Sequence, residues 1–487
     1  MPAWRIGALI AGPLVCLVPL LVDAPTALGG EAWRLCGLAG WMVVWWLTEA
    51  IPVPATALLP IVGMPLLGIG KEGGVTASYA HPLIFLFLGG FLIAGAMQRS
   101  GLHERVALFI VWAVGRNARS LVGGFMIACA LLSMWISNTA TAVMMFPVGL
   151  SVIGVVAKET DRHTARRFGV ALMLAIAYSC SIGGIATLIG TPPNTLLAAF
   201  LADSYGYQLS FASWMAIGLP FCLVLLPLTW LWLTRVGFPA GGLRLSHARE
   251  DMIRRLRDLG PMSRGERIVG IGFLIAAVGW IVRPLIVKLT GVPISDTTVA
   301  MSVGLAMFVV PVSLETGRFA LDWATARNLR WGVLLLFGGG LALAGAFKST
   351  GLAEAIGRAF AGFAGTNVWL TAAAMAATVL FLTELTSNTA TTATFLPIVA
   401  AIAIGWGENP LLFVVPVAIA ASGAFMLPVA TPPNAVAFGY PHLRVRDMAR
   451  TGAVLNLLCV VLVVLVDFVL CRWVLGAEPG VLPPWVR

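Results

Sequence analysis

Residues Met134–Pro147 read MWISNTATAVMMFP. The stretch is apolar enough for a membrane interior, yet Ser137, Asn138 and Thr139 stand in its middle. Three side chains that need hydrogen-bond partners are costly there unless something meets them. The same tripeptide returns in LTSNTATTATFLP, Leu385–Pro397, as Ser387, Asn388 and Thr389, 250 positions further on. A polar tripeptide set twice at the centre of a long apolar block decides the reading of the whole chain.

The two blocks, 120–156 and 368–405, belong to a chain of 487 residues, 59% hydrophobic and 11% charged. Soluble domains carry about 25% charged residues. The composition is that of a polytopic membrane protein whose partner is the lipid bilayer. It is all-α, because a helix satisfies its own backbone in lipid. Net charge is +10. In short loops such an excess sets orientation, and no nucleic-acid partner is expected. Cys16, Cys36, Cys129, Cys180, Cys222, Cys459 and Cys471 lie in apolar segments without Cys-x-x-Cys spacing, so they read as small core residues.

Apolar stretches near the length of a membrane span, roughly 20 residues, occur near 3–22, 33–48, 52–69, 82–98, 168–188, 211–236, 268–288, 297–313, 331–347, 410–429 and 452–474. The first of these imitates a signal peptide but reads as a retained span. The expectation is therefore about 11 transmembrane helices plus two re-entrant hairpins. With the N-terminus inside, loops 157–167, 237–267, 315–330 and 441–450 face the cytoplasm and hold 17 Lys/Arg. The outward loops 23–33, 70–80, 201–210, 288–296 and 406–410 hold two, Lys71 and Lys288. This asymmetry follows the positive-inside rule. It puts the N-terminus in the cytoplasm and the C-terminus outside; the expected location is a bacterial inner (plasma) membrane.

The repeat is wider than the tripeptide. FLGGFLIAGAMQRSGL, Phe87–Leu102, matches FGGGLALAGAFKSTGL, Phe337–Leu352, also at offset 250. GTPPNTLL, Gly190–Leu197, answers ATPPNAVA, Ala430–Ala437, at offset 240. Each half holds five spans and one hairpin, and an odd number of spans inverts the second half. The division is then 1–32, an N-terminal span and loop; 33–236, a first repeat whose hairpin 120–156 enters from inside; 237–267, a cytoplasmic linker; 268–475, a second repeat whose hairpin 368–405 enters from outside; and 476–487, a tail. Basic Arg116, Arg119 and Lys158 flank the first hairpin, while Asn367 and Glu408 flank the second. Inverted repeats with broken helices mark secondary transporters.

The tripeptides read as hairpin tips. Leu121–Ile136 has 16 residues, about 24 Å of helix at 1.5 Å per residue, short of a bilayer core of about 30 Å. Ser, Thr and Asn cap helix N-termini, whose free N–H groups and positive dipole end favour an anion. Pro192 and Pro193 forbid an unbroken helix through Thr191, and a proline tolerates the first turn of a new one, with Thr191 as its cap. Thr431, Pro432 and Pro433 repeat the device. Four broken-helix ends can thus meet near the midplane. Ser133 lies one turn before Ser137, and Thr383 one turn before Ser387, so their oxygens could suit a small hard cation. Against this, such hydroxyls often bond back to their own helices. Glu384, an acid at the end of an apolar run, is read as bonding the second hairpin, because its repeat counterpart is Met134; the alternative is a proton or cation site. The glycine runs 89–90 and 338–340 read as close helix contacts rather than phosphate loops. No Lys or Arg occurs within Ala128–Gly154, Ala171–Leu201, Thr371–Ala403 or Pro410–Pro441. An anion crossing there would need mobile cations beside the partial charges of helix ends.

The two SNT tripeptides, the paired TPPN motifs and WWLTEAIPVPATALLP, Trp45–Pro60, together resemble the divalent anion:sodium symporter family, over nearly the whole chain. That resemblance implies a carrier of dicarboxylates, citrate or sulfate. It implies a homodimer with a scaffold part and a transport part that moves like an elevator. It assigns substrate contacts to Ser137, Asn138, Thr139, Thr191, Pro192, Ser387, Asn388, Thr389, Thr431 and Pro432. One sodium site would be Ser133, Ser137, Asn138 and Gly190, and the other Thr383, Thr386, Asn388 and Ala430. The expected activity is sodium-coupled uptake of a divalent organic anion such as succinate or malate, with sodium as the co-transported cation and no other cofactor. A sodium-independent or proton-coupled exchanger, a sulfate or citrate carrier and an anion channel are the alternatives. A membrane enzyme would need a nucleophile–base pair or a metal cluster, and the sequence has no such constellation.

Overall fold

The computed structural model describes residues 3–115, 117–239, 246–363 and 367–486. Arg116, on the flank of the first hairpin, lies outside them, as does part of the linker 237–267. Among the described residues, nine helices are long and apolar enough to cross a membrane, accompanied by five shorter apolar ones.

Several apolar runs are not single helices. Prolines 52, 54, 60 and 65 divide 52–69 into Val53–Thr56 and Leu59–Leu66. The run 297–313 is the helix Asp296–Val309 followed by a strand, Pro311–Ser313, paired with Arg318–Phe319. Only Leu411–Ala421 of 410–429 is helical. The linker contains a helix, Ser246–Asp258. Two further short helices, Leu102–Val114 and Leu352–Phe360, follow Gly101 and Gly351. These glycines have φ of 79° and 75°, a left-handed turn that other residues resist.

The 250-residue offset is built into matched elements. The helices Pro82–Ser100 and Trp331–Ser349 correspond, and each packs on a helix of the other half. A methyl group on Gly89 would come within 2.6 Å of the Ala300 backbone, and one on Gly339 would overlap the backbone of Ala57. Each glycine run therefore marks a close helix crossing.

Both hairpins start at an asparagine cap. Asn117 forms a capping box with Ser120 at the start of Ala118–Ser133, and Asn367 accepts from Trp369 and Leu370 N–H at the start of Val368–Thr383. Each of these arms has 16 residues and leads through the tripeptide into a second arm, Asn138–Glu159 or Asn388–Gly405.

Two helices that are apolar all round form the cores behind the hairpins, as expected for buried helices. Phe168–Ile185 of Arg162–Ile185 is buried at every position, and so is all of Leu411–Ala421. The first hairpin packs on the former and the second on the latter. The helices after the Thr-Pro motifs cross over. Pro192–Tyr205 packs on the second hairpin and Pro432–Phe438 on the first. That crossing brings four helix ends to one place.

Candidate functional site

A cavity of about 590 Å³ lies where the four ends meet. Its wall includes Ser137, Asn138, Thr139, Thr191 and Pro192 from one half, and Ser387, Asn388, Thr389, Thr431 and Pro432 from the other. Gly190, Thr386 and Ala430 also line it. Ser133 and Thr383 do not; both are buried one layer behind the tripeptides.

Ser137 caps its helix by accepting from Ala140 N–H at 3.3 Å, whereas Ser387 makes no such bond. Thr431 caps through Asn434 N–H at 3.2 Å. Thr191 is the N-cap residue, as the sequence predicts, but its hydroxyl makes no capping bond. The first-turn N–H groups of these helices are thus only partly satisfied from within, which suits an anionic ligand.

Oxygens gather behind each asparagine. The Asn138 side-chain amide is ringed by Ser133 Oγ at 2.5 Å, Cys180 O at 3.2 Å and Gly190 O at 3.3 Å, and satisfies them with its nitrogen turned inward. Gly184 permits this approach, since a Cβ there would overlap the Asn138 amide. In the second half, Thr383 Oγ1 donates to Asn388 Oδ1 at 2.6 Å and to Ala421 O at 3.1 Å. Thr386 bonds back to Leu382 O at 2.9 Å and pairs with Thr391 Oγ1 at 2.7 Å.

The last residue of each TPPN motif holds the chain break. Asn194 Nδ2 donates to the carbonyls of Gly184, Ile185 and Thr187, at 3.1, 3.2 and 2.7 Å. Asn434 Nδ2 donates to Ala424 O and Leu427 O at 3.2 and 3.0 Å. Neither asparagine is among the site residues expected from the sequence, although their recurrence in the two motifs is a usable signal. Glu384 is buried and faces away from the cavity. It accepts from the backbone N–H groups of Phe425, Met426 and Leu427 at 2.8, 2.9 and 3.0 Å, and from Asn456 Nδ2 at 2.7 Å. An unpaired buried amide costs roughly 1–3 kcal/mol, so this carboxylate stabilises the segment substantially.

Two charged residues on the cavity wall were not expected from the motifs. Arg330 precedes the helix Trp331–Ser349, and Glu49 ends Gly30–Thr48 with φ of 46°. Among the described residues Glu49 is the one non-glycine residue with positive φ, a conformation costing about 1–2 kcal/mol. Phe87 and Phe91 supply an apolar side.

Repeat-equivalent positions differ at the two tips. Trp135 stacks at 6.0 Å on both Phe211 and Trp280 and meets Phe273 edge-on at 5.0 Å. Its counterpart Leu385 lines the cavity and is 70% exposed. Ile189 is 7% exposed, and its counterpart Val429 is 80% exposed. Both tripeptides line the cavity, but the first tip is docked through Trp135, whereas Leu385 and Val429 leave the second more open.

A family model described as "Sodium:sulfate symporter transmembrane region" matches residues 3–476. The chain is 40% identical to a sodium-dependent dicarboxylate transporter, SdcS, of Staphylococcus saprophyticus, over 96% of this chain and 92% of that protein. It is 40% identical to SdcS of Staphylococcus aureus over 98% and 93%. Among solved structures, the YdaH transporter of Alcanivorax borkumensis superposes with a TM-score of 0.61 at 14% identity, over 91% of this chain and 99% of that one. MtrF of Neisseria gonorrhoeae gives 0.58 at 14% identity, over 99% and 98%. These two likenesses concern the fold alone. A helical fold with paired hairpins, a family match across nearly the whole length and relatives of this closeness make the chain an integral membrane transporter of the sodium:sulfate symporter family.

Proposed function

We propose that this protein couples sodium entry to uptake of C4 dicarboxylates such as succinate or malate, by alternating access of elevator type. The observation that carries the reading is the convergence of both tripeptides and both Thr-Pro ends on one cavity with one-sided exposure. Two equivalent donor sets suit a ligand with a carboxylate at each end. Sulfate would occupy only one set. Helix ends carry partial charge and Arg330 a single full one, so a dianion needs further positive charge to leave water. The oxygens around Asn138 and Asn388 offer hard ligands for such cations. With the amide turned to present its oxygen, Ser133, Ser137, Asn138 and Gly190 would hold one sodium ion. Thr383, Thr386, Asn388 and Ala430 would hold the other. That the relatives SdcS are named sodium-dependent dicarboxylate transporters supports this choice.

The repeats are read as inverted and the assembly as a homodimer in the bacterial plasma membrane, N-terminus inside and C-terminus outside. Glu49 and Arg330 lie at helix ends that the loop charges assign to the cytoplasm, so the cavity is taken as open to that side. Alternating access then requires the exposed and docked tips to exchange roles. Proton coupling through Glu384 is disfavoured, because four N–H donors occupy it away from the cavity. The test is uptake of labelled anions into proteoliposomes, with and without a sodium gradient. Asn138→Ala and Asn388→Ala should each abolish transport while leaving folded protein. A native rate in either variant refutes the shared site, and full counter-anion exchange in choline would establish an exchanger instead.

A further inference from the structure

The two halves make the same turn before TPPN by different means. In the first half, Arg162–Ile185 stays helical nearly to the break. There Thr187 Oγ1 donates to the Met134 carbonyl. Thr187 O in turn accepts from Asn194 Nδ2 and from Gly190 N–H. In the second half the helix ends at Ala421. Residue 427, the counterpart of Thr187, is a leucine with no hydroxyl. The amides of 425–427 are freed, and Glu384, at the position of Met134, accepts all three. Leu427 O still accepts from Asn434 Nδ2 and Ala430 N–H, as Thr187 O does from their counterparts. A hydroxyl-to-carbonyl link in one half is therefore replaced by a carboxylate-to-amide link in the other.

The helix Val445–Leu475 closes the second device from behind. A Cβ on Gly452 would overlap the Phe425 backbone. One turn on, Asn456 donates to Glu384 and accepts from Phe425 N–H at 3.3 Å. Glu384 is 3% exposed. Its bond to Leu427 N–H begins a short chain, through the Leu427 carbonyl, to Ala430 and to the helix that Thr431 starts.

Resting on the functional reading above, we propose that Glu384 is the positioning residue of the second half-site. It holds the unwound segment Ser422–Leu427 in the shape that presents Ala430 and Thr431 to the cavity. It also places a negative charge behind the second tripeptide, where the first half has a methionine. Charge-assisted bonds are about twice as strong as neutral ones, and a fixed anion favours a nearby cation. The second half-site is therefore the tighter of the two for the cation.

The test compares native protein, Glu384→Gln, the double variant Glu384→Met with Leu427→Thr, and Thr187→Val. The double variant transplants the hydroxyl–carbonyl link of the first half into the second. Each protein is reconstituted, and labelled succinate uptake is titrated with sodium. Hydrogen exchange is followed in peptides covering 182–191 and 422–431. Glu384→Gln should raise the half-saturating sodium concentration at least fivefold, with a smaller change in maximal rate. Its faster exchange should be confined to 422–431. The double variant should recover slow exchange but not the full sodium affinity, since it lacks the charge. Thr187→Val, which alters only a hydroxyl, should speed exchange in 182–191 alone. An unchanged sodium titration and unchanged exchange at 422–431 in Glu384→Gln overturn the proposal. If Glu384→Gln does not fold, slow exchange at 422–431 in the double variant supports it and fast exchange overturns it. If native protein transports without sodium, the functional reading fails on its own, and the exchange data still decide the role of Glu384.

Discussion

Trp135→Leu should release the docked tip. The substitution gives the first tip the residue that its counterpart, Leu385, already carries. The indole contacts three rings, Phe211, Trp280 and Phe273, at 5.0 to 6.0 Å. Aromatic pairs contribute about 0.5–1.5 kcal/mol each beyond buried area. The three share one ring and do not add fully, and leucine keeps part of the apolar contact, so the docked state should lose about 2 kcal/mol. Each 1.4 kcal/mol is tenfold in an equilibrium, so under the proposed alternating access the balance between the two access states should move roughly 30-fold. The reporters are single cysteines at Ile189 and Val429, placed where counterpart exposure is 7% and 80%. Of the seven native cysteines six are buried and Cys36 partly so, and all are replaced where they react. In native protein an impermeant thiol reagent should label position 429 quickly from one side and spare 189. With Trp135→Leu, labelling at 189 should rise from the opposite side while labelling at 429 falls. Unchanged labelling, or a parallel rise at both positions, would refute exchange of the two tips.

Ser133→Ala and Thr383→Ala remove the buried hydroxyls behind Asn138 and Asn388; each should raise the sodium needed for half-maximal uptake several-fold, seen by titrating sodium against choline at constant ionic strength. Arg330→Gln should weaken anion affinity several-fold at low ionic strength and much less at about 0.5 M salt, because an exposed charge acts through a screened field; equal loss at both salt concentrations would make its role one of direct contact. Cysteines at the two hairpin caps, Asn117 and Asn367, are both exposed and should be labelled from opposite faces of the membrane. Labelling of both from one face would exclude the inverted arrangement.

Hydropathy alone determined that this chain is a helical membrane protein, since nothing but burial in lipid or protein suits so many apolar residues. Motifs with a purely local physics were equally legible. Prolines at 192–193 and 432–433 break helices wherever the chain goes, and the threonine before each pair takes the N-cap position of the next one, with a capping bond at Thr431 and none at Thr191. The shared tripeptide marked both tips, and the glycine runs marked close crossings. Local rules also misled, as in the unbroken spans expected over 52–69 and 410–429.

Tertiary structure decided what meets what. Helices apolar on every side carry no stripe to say which neighbour they face, so the crossing of each Thr-Pro helix onto the opposite hairpin was not legible. The segments around the motifs hold no lysine or arginine, and Arg330 reaches the wall from outside them. Glu384 was readable as a buried structural acid. Its partners were not, because three of them are backbone amides freed by a helix end that no residue at Ala421 announces. Trp135 and Leu385 occupy equivalent places in the repeat, yet one is stacked among three rings and the other open to the cavity. A repeat in sequence specifies two similar units; how each unit sits against the rest of the molecule is set by packing between distant segments.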